Sequence, residues 1–175
     1  MGVLVEQLPL ALVTLALIAC SALSSSYFAQ PSSFSESDPA TAGTVVYAGV
    51  ASLDIQPGDS IRFVRLENVD PAVTDVLIGR LADTDAALGM ARESEMTASD
   101  LASLHDLEGA QYSSSDGPVQ IALKILTPEH DVNVVSPVLV FEINGGPDQR
   151  EPLLAAVRVC STASDVTECD APSPP

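Results

Sequence analysis

The run Ser52–Glu67, SLDIQPGDSIRFVRLE, reads as strand, tight turn, strand, and sets the expectation for the whole fold. Pro57 fixes its own φ, and Gly58 accepts the positive φ that a type II turn needs at its third position. Beyond the turn, Ile61, Phe63 and Val64/Leu66 alternate approximately with Arg62 and Arg65, giving one buried and one wet face. Outward from this run the signal stays mostly β. Thr44–Val50, Val73–Leu81, Val119–Leu126, Val132–Asn144 and Leu153–Cys160 are strand-like, and Asn68–Pro71 and Gly145-Gly146-Pro147 are turns. Pro137 inside the run 132–144 marks an edge strand or a break into two. Asp83–Arg92 has helical character, and Thr97 with Asp100 forms a capping-box pattern for a short helix over Ala98–Asp106 that ends near Gly109. Gln111–Pro118 reads as a loop. Six or so strands at this spacing, with one or two short inserted helices, predict a mainly β, sandwich-like domain.

The 175 residues hold 24 Asp and Glu against 7 Lys and Arg, a net charge of −17. The cations are six arginines and one lysine, Lys124. This balance argues against nucleic-acid binding, which needs basic patches, and against charge-driven docking on anionic lipid. Apolar residues reach 46%, enough for a packed core. The charge far exceeds the ~2–8 that keeps a small domain soluble. In dilute salt it destabilises the compact state through self-repulsion, whereas at ~1 M salt the screening length falls to about 3 Å. An acidic, lysine-poor chain of this kind is read as a halophile's protein.

Residues 2–23, GVLVEQLPLALVTLALIACSAL, form an apolar run long enough to cross ~30 Å of hydrocarbon at about 1.5 Å per residue. Three fates compete for this anchor or signal helix. It is retained as a transmembrane anchor, cleaved near the small residues 19–24, or processed as a lipoprotein signal in which Cys20, after Leu17-Ile18-Ala19, takes the lipid. The acidic remainder is then extracytoplasmic on a single-pass membrane protein. Residues 24–43, rich in Ser, Pro and Ala, read as a spacer, 44–169 as the folded domain, and 170–175 as a tail.

Glu6 is costly inside an apolar run unless it is paired. With Gly2, Val3, Leu4 and Val5 before it and a stretch from Leu8 to Ala19 in which only Thr14 is polar after it, the segment resembles in outline the N-terminal helix of type IV pilin-like proteins. That resemblance implies processing after Gly2 and a pairing of Glu6 with the freed amino terminus of a neighbouring subunit during filament assembly. Cleavage there puts the glutamate fourth in the mature chain, where the family has it fifth, and no basic residue precedes the glycine.

Chemistry is sparse. The Leu53–Phe63 turn resembles that of cupredoxin and immunoglobulin-like sandwiches, yet blue copper needs clustered His and Cys, and His105 and His130 are scattered and read as surface residues. Neither a G-x-S-x-G elbow nor a phosphate-binding glycine pattern occurs. The acidic pairs Asp83/Asp85 and Glu93/Glu95 are of the type that binds Ca²⁺, but in so acidic a chain they arise by chance. Cys160 and Cys169, nine apart, suit a disulfide in an oxidising compartment. The expectation is therefore a non-enzymatic, cofactor-free cell-surface structural or adhesive protein, pilin-like, with membrane and homo- or hetero-oligomeric protein partners. The alternatives are a membrane-tethered or lipid-anchored solute- or surface-binding module, or a virion membrane or spike protein.

Overall fold

The computed structural model describes residues 28–29, 34–80, 89–162 and 169. They build a mainly β molecule of thirteen strands, one short α-helix (α1, Ala98–Ser103) and two single 3₁₀ turns at Glu93–Glu95 and Ser114–Asp116. Among them no helix is long and apolar enough to cross a membrane, and the run 2–23 lies outside them.

The first sheet has the order β1-β3-β9-β5-β7, all antiparallel, with β6 also on the β3 edge. Its strands are β1 (Phe28–Ala29), β3 (Val45–Leu53), β5 (Val73–Gly79), β6 (Met90–Arg92), β7 (Leu104–Asp106) and β9 (Val119–Leu126). The other strands are β2 (Phe34–Ala40), β4 (Ser60–Glu67), β8 (Gln111–Ser113), β10 (Val132–Val135), β11 (Val138–Ile143), β12 (Gln149–Pro152) and β13 (Ala155–Ser161), in two smaller sheets ordered β10-β13-β2 and β12-β11-β4-β8. Those two are halves of one long hairpin. β10 and β11 run against β13 and β12, with the register shifted by one residue where Ser136 adopts a φ of 48° and Pro137 interrupts the ladder. Ser136 N still donates to the Ala155 carbonyl, and Leu153 N to that of Pro137, so the backbone bonding crosses the break. The proline thus divides the run, one of the two outcomes its position predicted.

The chain passes repeatedly between the layers, and Val46, Ile61, Phe63, Ile78, Ile121, Leu123, Val134, Leu139, Phe141 and Val157 meet in one core. Nearly all of this apolar surface is withdrawn from water, at about 25 cal/mol for each Å².

Several sequence expectations are corrected. The Pro57-Gly58 turn forms as read, with Asp59 N donating to the Gln56 carbonyl at 3.0 Å and Gly58 at φ 90°. It does not close a hairpin, because β3 and β4 lie in different sheets; Asn144 grips it instead, accepting from Ser60 N and donating to Asp59. The spacer over 24–43 and the domain start at 44 are revised, since Phe34–Ala40 forms a seven-residue parallel ladder with β13 and Ala40 enters the core. Its Ser/Asp/Pro composition disfavours strand, so the β13 edge imposes the conformation. Of the expected helix 83–92, residues 83–88 lie outside the described ones, and Met90–Arg92 is a strand on β3. The helix α1 begins as read, Thr97 accepting from Asp100 N, but stops at Ser103, where β5 recruits Leu104–Asp106 as a strand. Gln111–Ser113, expected in a loop, is β8.

Because β6 and β7 lie on opposite edges of the first sheet, residues 93–103 travel across its outer face, about 19 Å at ~4.8 Å per strand. Small residues make the room. A Cβ on Gly79 would stand 2.1 Å from the Ser103 carbonyl oxygen. Gly79→Ala is therefore expected to cost about 3 kcal/mol or more. Gly58→Ala meets no neighbour and carries only the backbone cost of about 1–2 kcal/mol. Urea unfolding followed by far-ultraviolet circular dichroism at fixed molar salt checks the order; equal losses would contradict the crossing.

Candidate functional site

Where the β4 and β5 edges face each other, a groove of about 710 Å³ opens along the side of the molecule. β8 covers only Ser60–Arg62 of β4, and β7 only Leu77–Gly79 of β5. The segment Leu107–Ala110 bridges the two layers beyond those points: Leu107 N donates to the Val76 carbonyl, Gly109 N to that of Phe63, and Phe63 N to that of Ala110. Leu107 is buried and holds the bridge in the core. Past it, among the described residues, Val64–Glu67 and Val73–Asp75 have no ladder partner on the groove side. Arg62 and Arg65 stand on one wall, with Thr74, Asp75, Asp106 and Glu108 around the rest. Such a groove can take an extended polar chain by backbone pairing and mixed charge.

Next to it, the two edge strands are fastened by a ring pair. Tyr112 of β8 hydrogen-bonds through its hydroxyl to His105 Nε2 of β7 at 2.9 Å, the rings stack at 27°, and Tyr112 also meets Phe63 edge-on. Asp116, held by Ser113 N and Oγ, receives Arg80 at 3.3 Å. Burial raises the pKa of Tyr112 above the ordinary phenol value, so it stays a neutral hydrogen-bonding group. This seam closes the sandwich, and it joins residues whose sequence neighbours announce nothing. The one local signal is Ser113–Asp116, the same Ser/Thr-x-x-acid pattern as at Thr97.

The seven cations are all committed within the fold. Arg62 pairs with Glu142 directly across β4 and β11, and Lys124 with Asp75 across β9 and β5. Arg65 and Arg150 share Glu67, and Arg158 pairs with Asp131, which also accepts from Ser161 N. Arg80 takes Asp116, and Arg92 donates to the Pro39 carbonyl. Hydrogen bonding to Asp75 raises the pKa of Lys124, while burial, then Glu93, raises that of Tyr47 beside it. Exposed pairs of this sort contribute little singly, and salt screens them further.

Of the residues singled out from sequence, Cys160 and Cys169 are joined in a disulfide, Cα atoms 5.9 Å apart. Gly2, Glu6, Cys20, Asp83 and Asp85 lie outside the described residues. His105 and His130 are exposed, His105 on β7 rather than in a helix. Glu93 accepts from Tyr47 and Glu95 from Arg92 N, so the pair braces the crossing segment instead of facing a common ion. No family model, curated protein or solved structure matches the chain.

The shared carboxylate has a consequence for acid stability. Hydrogen bonding, first from Arg65 and then Arg150, holds the Glu67 carboxyl below its ordinary value of 4.5. A carboxyl lowered on folding contributes stability that is full above its unfolded value and lost as pH falls through the folded one. Glu67→Gln should therefore flatten the decline in melting temperature below about pH 4.5, seen in thermal scans through the acid range. An unchanged slope would contradict this.

Proposed function

We propose that this chain is a membrane-anchored, extracytoplasmic structural or adhesive protein that works in high salt. The observation carrying this reading is the Cys160–Cys169 disulfide, which suits an oxidising exterior, in a chain whose front end is a 22-residue apolar run. The spread of charge supports the same reading. With every cation engaged inside the fold, the net −17 appears outward as carboxylate, which repels in dilute solution and is tolerated in brine.

The apolar helix of residues 2–23 acts as the single-pass anchor, and in the pilin-like version it packs into a filament with Glu6 setting registry. From Leu23 to Phe28, where β1 joins the first sheet, the chain can reach at most about 17 Å, so the domain sits close to the bilayer. A membrane-tethered module that binds a solute or surface polymer is the second reading, favoured by the groove between β4 and β5. In that version no filament forms and the groove faces outward.

Two measurements test the proposal. The melting temperature should rise steeply between dilute and molar KCl; a salt-independent value removes the brine reading. In cells, membrane fractionation should recover the full chain with the bilayer, and Glu6→Ala should abolish assembly while leaving the domain folded and the disulfide closed. Normal filaments from that variant would reject the role of Glu6, and lipid on Cys20 would replace the pilin-like version with the tethered one.

A further inference from the structure

Among the described residues, β2 and β13 form the one parallel pair beside ladders that are otherwise antiparallel, running in register from Phe34↔Ala155 to Ala40↔Ser161. One strand is the first long strand of the domain and the other is the last. Because they are parallel, the chain enters β2 at one end of the ladder and leaves β13 at the other. Had they been antiparallel, entry and exit would share one end.

This geometry decides what tension does. On the reading that residues 2–23 hold the protein to a membrane, a pull on its far side acts between the Phe34 end of β2 and the exit from β13. The disulfide defines that exit, since it ties Cys169 to Cys160, the sixth residue of the seven-residue strand. Load arriving from the C-terminal side thus enters β13 at Cys160 without first drawing out the intervening residues. It passes across the ladder into β2 and on through the two-residue β1–β3 pairing to the anchor, and the remaining described strands lie off its path. Seven residue pairs are then sheared together, not opened one after another. The far end of the ladder has extra fastenings: Thr162 N donates to the Ala40 carbonyl at 3.1 Å, and Arg92 Nη2 to that of Pro39 at 3.1 Å.

We infer that the β2–β13 ladder is a shear-loaded clamp, and that the protein has a load-bearing function as the link between a membrane anchor and whatever its outer side holds. This rests on the surface-anchored reading above. The strand composition agrees with it, because a Ser/Asp/Pro-rich strand with little intrinsic preference for β structure is a weak element under peeling. It is kept in place only when its backbone bonds resist as a group.

Force spectroscopy on the full chain in detergent tests the clamp. One pair of handles is attached at the two chain ends. A second pair is attached at the N-terminus and at Leu154→Cys in a Cys20→Ser background. Leu154 is 48% exposed and adjoins Ala155, the partner of Phe34, so this geometry opens the same ladder from one end. At equal loading rate the rupture force should be several-fold higher between the chain ends. Equal forces, or a lower force between the ends, would overturn the clamp. A second measurement needs no new handle position: reducing the disulfide should lengthen the extension at rupture by the freed residues and leave the force unchanged. A force that collapses on reduction would put the resistance in residues 161–169 and also overturn it. Neither result depends on whether residues 2–23 sit in a bilayer, so a failed clamp and a failed anchor are told apart.

Discussion

Everything in this molecule depends on burying the inner faces of two β layers against each other. Phe63 and Phe141, the two largest fully buried side chains, come from neighbouring strands of one layer, and Ile78, Ile121 and Leu123 answer them from the other. The chain crosses between the layers after each of β1, β2, β3, β4, β7, β8 and β9, so neither layer covers its own apolar face alone. Cooperativity follows from that connectivity. The fastening at His105 and Tyr112, the bridge at Leu107 and the groove beside it are all ways of ending a sandwich whose edges would otherwise stand open.

The charge distribution fits on this frame without disturbing it. All the cations but Arg80, which follows β5, sit on the strands, where direct cross-strand neighbours such as Arg62 and Glu142, or Lys124 and Asp75, lie close enough to pair. Arg65 and Arg150 meet on one carboxylate, Glu67, so β4 and β12 are tied through a single anion. A surface so depleted of free positive charge offers little to a polyanion and much to hydrated salt.

Strand positions were legible wherever alternation and turn chemistry agreed. Val119–Leu126 forms over the residues read from sequence, the Pro57-Gly58 turn has its expected geometry, and Pro137 splits its run. What escaped was pairing. SLDIQPGDSIRFVRLE looks like a hairpin because nothing local distinguishes a turn within one sheet from a turn between two. β2 escaped for the opposite reason: Phe34–Ala40 has no strand pattern, and its conformation belongs to the edge that receives it. The short strands β6, β7 and β8, at three residues each, are likewise borrowed from their neighbours. Of the candidate site, the disulfide was readable from the spacing of its two cysteines, whereas the groove and the Tyr112 seam come from residues brought together by crossings that sequence periodicity does not encode.

The long hairpin and the strand beside it also fix an order of events in time. β13 must sit between β10 and β2, yet it leaves the ribosome more than a hundred positions after β2. Until residue 161 has emerged, the second layer lacks its central strand and the first layer faces an incomplete partner. Such a topology, dominated by distant contacts, folds slowly and late. A chain of this kind keeps its first long strand waiting through most of its synthesis, and the second layer closes only when β13 arrives beside it.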